Sequence, residues 1–186
     1  MPGSAVSAAR RHTVIDSPYQ PLTLVAEGDR LVGLYLENQR HRPAEATFGV
    51  RVPEASEPPF AQTASQLDEY FTGRRRVFEL PLTLHGTAFQ QRVWAALLEI
   101  PYGQTRSYGE LAEHLGRPTA ARAVGLANGR NPIGVIVPCH RLVAADGGLV
   151  GYGGGIDRKQ ALLAHEGVPP RPQPRRYRVR SEPESE

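Results

Sequence analysis

One cysteine occurs in the chain, Cys139, and it stands in the run Pro138-Cys139-His140-Arg141. Sulfur attacks electrophiles as the thiolate, and an imidazole within reach can remove the thiol proton, so these residue types suit transfer of a group onto sulfur. The adjacency alone carries little weight. Side chains of neighbouring residues diverge in an extended chain, and a free cysteine commonly serves as a small buried apolar side chain. The cysteine count is more telling. With a single thiol, neither an internal disulfide nor a cysteine-rich zinc site can form, which suits a reducing compartment and leaves Cys139 as core filler or reactive centre.

Positioning of that thiol falls to elements of the second half. Thr87 and Gln90 have the spacing of a capping box, followed by Phe89, Val93, Ala96, Leu97 and Ile100 on one helical face and by the stop Pro101-Tyr102-Gly103. Ser107 and Glu110 form a second box, which opens a short helix through Leu111, Ala112 and Leu115 that Gly116 closes. A third helix spans Ala120 to Asn128, and two short helices joined by a tight glycine turn resemble a helix-turn-helix. Beyond Asn131-Pro132, the run Gly134-Val135-Ile136-Val137 is predicted as a short apolar strand leading to Cys139. Leu142 to Tyr152 is expected to be a hairpin about Asp146-Gly147, a candidate wing, and Asp157 to cap a last helix that Gly167 stops.

The first half holds no polar constellation at catalytic spacing. Thr13 to Leu36 reads as a meander in which Leu22, Leu24 and Ala26 alternate with polar neighbours and Glu27-Gly28-Asp29 turns the chain. His41 to Pro59 is predicted as a surface loop, Ala64 to Thr72 as a helix around Leu67 and Phe71, and Phe78 to Leu84 as a further strand. A domain boundary follows near His85-Gly86. The net charge of +3 leans only weakly towards a polyanionic partner, and the predominance of arginine, with Lys159 the single lysine, carries no functional weight. No apolar run has the length of a membrane span and Met1 to Arg11 lacks a signal-peptide core, so the expectation is a soluble, cytoplasmic protein that does not engage membranes.

Asn131-Pro132, Ile136 to Arg141, Gly151-Tyr152-Gly153-Gly154-Gly155 and His165-Glu166-Gly167 follow one another in an order that resembles the O6-alkylguanine-DNA alkyltransferases of bacterial type, the methylated-DNA--protein-cysteine methyltransferase family. The resemblance covers about Thr87 to Gly167. Together with these patterns it implies a mixed α/β (α+β) chain, with an N-terminal β-sheet domain with a helix over 12–85 and a helical winged helix-turn-helix domain over 86–168. Residues 1–11 are expected to be disordered, as is the tail over 169–186 from its Pro-, Arg- and Glu-rich composition.

The resemblance also implies the roles. Cys139 would accept the alkyl group once and irreversibly, His140 would activate it through a water, Glu166 would orient the imidazole and Asn131 would hold the turn before the thiol. Tyr108 would press on the DNA backbone and donate a proton to the leaving base, while Arg122 would fill the stack behind a flipped nucleotide. Gln90, Gly109 and Arg117 join these two as candidate DNA contacts, and Leu142, Tyr152 and Gly153 are the candidate pocket. The partner implied is double-stranded DNA carrying O6-alkylguanine, bound through the minor groove by a monomer, with O4-alkylthymine as a second candidate substrate. No metal or organic cofactor is expected, because in-line attack by the thiolate needs only protonation of the departing base and fixed geometry. The structural zinc site that some relatives build from cysteines and histidines is expected to be absent with one cysteine.

Three other classes are weighed against this reading. A noncatalytic lesion binder of the same family would lack Cys139. A winged-helix regulator whose single cysteine senses alkylation or oxidation, as in relatives fused to a transcription-factor domain, would need a longer chain, and a cysteine hydrolase would need an oxyanion hole and product release that the sequence does not show.

Overall fold

The computed structural model describes residues 8–53 and 55–170. The mixed α/β class is as expected: an N-terminal four-stranded sheet with one helix precedes a helical C-terminal half. Strands β1 (Arg10–Ile15), β2 (Leu22–Glu27) and β3 (Arg30–Leu36) form an antiparallel meander, and β4 (Val50–Arg51) adds to β1 in parallel, giving the order β3-β2-β1-β4. Arg10 and Arg11 therefore belong to a paired strand and not to the disordered start expected of them. The rest of that expectation, at residues 1–7, lies outside the described residues, as does the expected tail from residue 171 onwards.

Alternation along the strands explains why both sheet faces are covered. Leu22, Leu24 and Ala26 turn inward with Leu31, Leu34 and Leu36, while Val25, Val32 and Tyr35 turn outward. The outer set is sealed by Phe48, whose ring stacks on Tyr35 at 5.3 Å from a 3-10 helix at Glu45–Phe48 inside the stretch expected to be loop. The inner set meets α1 (Phe60–Phe71), which buries Phe60, Thr63, Leu67 and Tyr70 at helical spacing and begins four residues earlier than the sequence suggests. Phe78 to Leu84 forms no strand of its own: it contributes a single bridge, Leu31 to Leu82.

Both predicted capping boxes are present. Thr87 and Gln90 start α2 (Ala88–Leu98), and Ser107 and Glu110 start α3 (Tyr108–His114), each box satisfying two otherwise unpaired backbone donors. Helix α4 (Ala121–Gly129) packs on α2 and α3 and is tied down by Trp94, a buried residue whose Nε1 donates to Ala127 O at 2.9 Å. The last helix, α5 (Ile156–His165), starts from Gly155 and not from an Asp157 cap; Asp157 lies inside its first turn, where a negative charge favours the helix dipole.

Two further expectations fail here. Gly134 to Val137 is a compact turn, because Ile136 N donates to Gly134 O and Val137 N to Ile133 O, and Val135 takes a φ of 69°. The wing keeps its turn, with Gly147 N bonded to Ala144 O, but its first arm is only β6 (Leu142–Val143), which pairs in parallel with β5 (Arg106–Ser107). One apolar core runs through both halves, from Leu24 and Leu34 to Val93, Ile133 and Leu162. Leu34 N also donates to Pro132 O at 2.9 Å, so the sheet abuts the turn that leads to the cysteine.

Candidate active site

The turn before the thiol is stapled by Asn131. Its Nδ2 donates to Val137 O at 2.8 Å and its Oδ1 accepts from Ile133 N at 3.0 Å, so one side chain fixes the loop at two points. Cys139, His140 and Arg141 then make a single turn of 3-10 helix, all buried. Burial pushes the thiol up from its ordinary pKa, against the hydrogen bond from Asn131 and the positive charge of Lys159, so the resting group is the thiol.

His140 lies in the core with Nε2 2.8 Å from Glu166 Oε1. Several donors hold the Glu166 carboxyl well below the usual carboxylate range against its burial, with His140 first and Arg141 next. The carboxylate can only accept, so Nε2 carries the imidazole proton and Nδ1 is left as an acceptor. Nδ1 is buried and has no protein partner, which fits a water relay to the neighbouring thiol. Burial also pushes the imidazole down, although Glu166 pulls the other way, so His140 is neutral and available as a base.

Glu166 is the most heavily bonded group of the site. Besides His140 it accepts from Arg141 Nε at 2.9 Å and Nη2 at 3.0 Å, from the Tyr70 hydroxyl at 2.7 Å and from Gly103 N at 3.2 Å. Arg141 is itself fixed by Ile100 O at 2.6 Å, at the end of α2. The expected trio of Cys139, His140 and Glu166 thus sits together at the junction of α2, α5 and the Asn131 turn.

Residues 88–168 match the family model described as the DNA binding domain of 6-O-methylguanine DNA methyltransferase, and residues 11–84 match its ribonuclease-like domain. The chain belongs to this family. Among 6-O-methylguanine DNA methyltransferase relatives, the methylated-DNA--protein-cysteine methyltransferase of Mycobacterium leprae is 54% identical over 82% of this chain and 89% of its own length. That of Methanosarcina acetivorans is 42% identical over 84% of this chain and 97% of its own. The crystal structure of Mycobacterium tuberculosis OGT in complex with DNA is similar with a TM-score of 0.75 at 52% identity, covering 84% of this chain and 92% of that one.

The remaining residues singled out for this methyltransferase fold are distributed unevenly. Tyr108 opens α3, and its hydroxyl donates to Val150 O at 2.9 Å. Its pKa is pushed up to about 12, first by burial and then by Cys139, so it keeps its proton at neutral pH. Arg122 is exposed on α4, on the face that also exposes Leu126, and Arg117 is exposed with its guanidinium 5.6 Å over the Phe89 ring. Gly109 lies in the first turn of α3, whereas the Gln90 side chain is engaged in the cap of α2, accepting from Thr87 N at 3.0 Å. Tyr152 and Gly153 line a small cavity with Cys139. Leu142, expected to give backbone to the pocket, is fully buried and is not among the residues lining this cavity. A larger cavity of about 580 Å³ between the Ala144–Val150 turn and α5 does not include the cysteine.

Lys159, Tyr70, Arg141 and Asn128 are site residues that sequence reasoning missed. Lys159 is fully buried, donates from Nζ to Leu142 O and, at 2.8 Å, to Val150 O, and stands 5.9 Å from the centre of the Tyr108 ring. Its pKa falls to about 8, because burial outweighs the pull of Cys139. The signal was there: Lys159 shares with Leu162 and Leu163 the spacing of the buried face of α5. Asn128, buried at the end of α4, donates to Cys139 O at 3.4 Å. Among the described residues no group of three or more His, Cys, Asp and Glu is placed to hold a metal, and no helix is long and apolar enough to cross a membrane.

Proposed function

We propose that the chain repairs DNA by moving the alkyl group of O6-alkylguanine onto Cys139 Sγ. The observation that carries this is a buried thiol one residue before a buried imidazole whose bond to Glu166 leaves Nδ1 without a protein partner and able to accept a proton. The thiol proton passes through a water to Nδ1, and the imidazolium so formed is stabilised by the Glu166 carboxylate. Sulfur attacks the O-linked carbon in line, a carbon–sulfur bond forms and the carbon–oxygen bond breaks with its electron pair going to O6. Guanine regains its carbonyl and takes up one proton at a ring nitrogen, so the net exchange is the thiol proton for the alkyl group. The Tyr108 hydroxyl, protonated and near the thiol, supplies a hydrogen bond to the departing base once it leaves Val150 O.

A stacked guanine cannot reach a buried sulfur, so the nucleotide is flipped out of the duplex. The exposed face of α4 is the surface that enters the minor groove, with Arg122 taking the vacated place in the stack and Arg117 contacting phosphate. O4-alkylthymine presents the same ether carbon and is the second substrate this chemistry accepts. The protein acts as a monomer and needs no cofactor for these steps.

Intact-mass measurement after incubation with a duplex carrying one O6-methylguanine tests the proposal. The expected product is protein heavier by one CH2, with Cys139→Ser unmodified yet still binding the duplex. Unchanged mass in the parent chain would leave only a binding protein.

A further inference from the structure

The cavity that Cys139 lines measures about 10 Å³, the room of about one water, and pockets that hold organic ligands are at least an order of magnitude larger. Something must move to admit a purine, and the walls differ in how they are held. Asn128, Asn131 and Val135 belong to the stapled turn and the core. Opposite them, Gly151 at φ 63° and Gly155 at φ 94° bracket Tyr152-Gly153-Gly154, with left-handed conformations at both ends of a segment suited to swing as a unit.

The third wall comes from the N-terminal half, from the loop that leaves β3. Gln39 N donates to Leu36 O at 3.3 Å, and Gln39 Oε1 accepts from Leu36 N at 3.1 Å, so the side chain is folded back and held at the cavity mouth. Arg40 N donates to Gly153 O at 2.8 Å, latching the loop to the glycine segment. A Cβ on Gly154 would stand only 2.6 Å from Leu36 Cδ1, so a side chain there would force Leu36 to shift, whereas one on Gly153 would meet Gln39 Cγ in ordinary contact at 3.6 Å. His41, at φ 61°, bends the loop immediately after the latch.

Granting the alkyl-transfer reading, we propose that Gln39 is a specificity-determining residue: the N-terminal loop is the outer wall of the alkyl pocket, and the bulk of Gln39 sets which O6 substituents clear it. When the glycine segment swings out it breaks the Arg40–Gly153 bond, and when it recloses over the flipped base the space left between Gln39 and Cys139 accommodates a methyl group more readily than an aromatic one. The N-terminal half, which carries no reacting group, thereby selects the substrate.

The test is the single-turnover rate of the full chain on duplexes carrying one O6-methylguanine or one O6-benzylguanine. In Gln39→Ala the benzyl-to-methyl rate ratio should rise about tenfold or more, the usual yield of added pocket space. Asn38→Ala, on the exposed part of the loop, should keep the parent ratio, as should Gln39→Met, which retains length without the Leu36 bond. An unchanged ratio in Gln39→Ala, or an equal rise in Gln39→Met, overturns a wall set by bulk. Failure of the parent chain to accept even a methyl group overturns the functional reading, and the gate with it.

Discussion

Arg141 grips Glu166 through two nitrogens, Nε to Oε2 at 2.9 Å and Nη2 to Oε1 at 3.0 Å, while the same Oε1 accepts from His140. The carboxylate that orients the base is thus already neutralised by a buried guanidinium. It remains ionised across the physiological range but stabilises the imidazolium less than an unpaired carboxylate would.

Replacing Glu166 with Gln should therefore damage the fold as well as the chemistry. It leaves the buried Arg141 charge without its counterion, a change that typically costs about 3–5 kcal/mol. Denaturant unfolding should show the loss, and alkyl transfer should slow at every pH.

The same carboxylate should make the protein acid-sensitive. Its folded pKa lies below the ordinary 4.5, so between the two values the unfolded chain binds more protons. The stability it contributes is complete above pH 4.5 and is lost as pH falls towards the folded pKa. Stability of the parent chain should fall more steeply below pH 4.5 than that of Glu166→Gln, and parallel profiles would refute the linkage.

Lys159→Met should preserve packing volume while removing the Nζ donor from Leu142 O and leaving Val150 O with the Tyr108 hydroxyl alone, at a cost of about 1–3 kcal/mol. Because Val150 O also holds the Tyr108 hydroxyl, the variant should transfer more slowly even at temperatures where it is fully folded. A melting shift with an unaltered single-turnover rate would confine Lys159 to the fold.

Arg122→Ala should slow repair in duplex DNA far more than reaction with the free alkylated base, since the place proposed for it is in the vacated stack. Equal losses on the two substrates would place its effect on the chemistry.

Each molecule should act once. The product is a thioether, which resists water and thiols at neutral pH, and the chain has no second cysteine to resolve it. An added alkyl group on the buried 3-10 turn at Cys139 should also overpack the site by about 1–3 kcal/mol. Titration with excess damaged duplex should stop at one lesion per protein, and the spent form should melt lower than the free one.

Local chemistry made much of this fold legible. The two capping boxes need only residues three apart, and the amphipathic faces of α1 and α2 need only a helical period. Gly134 to Val137 misled because a short apolar run has the same composition in a strand and in a buried turn; what decides it is Asn131, whose side chain bonds both flanks. The Cys139, His140 and Glu166 positions were visible through ordered motifs, whereas Tyr70 was not. It is 96 residues from the carboxylate it serves, and no local pattern encodes such a pairing.

That Tyr70 bond crosses from one half of the chain to the other, as does the bond between His165 Nε2 and Tyr70 O at 2.7 Å. A chain cut between His85 and Gly86 would yield a C-terminal fragment holding the thiol, the imidazole and the carboxylate, but short of one donor on Glu166 and of the outer pocket wall. Mixing the two fragments would then turn alkyl uptake into a reporter of reassembly, with a covalent, countable mark left on each pair that had docked.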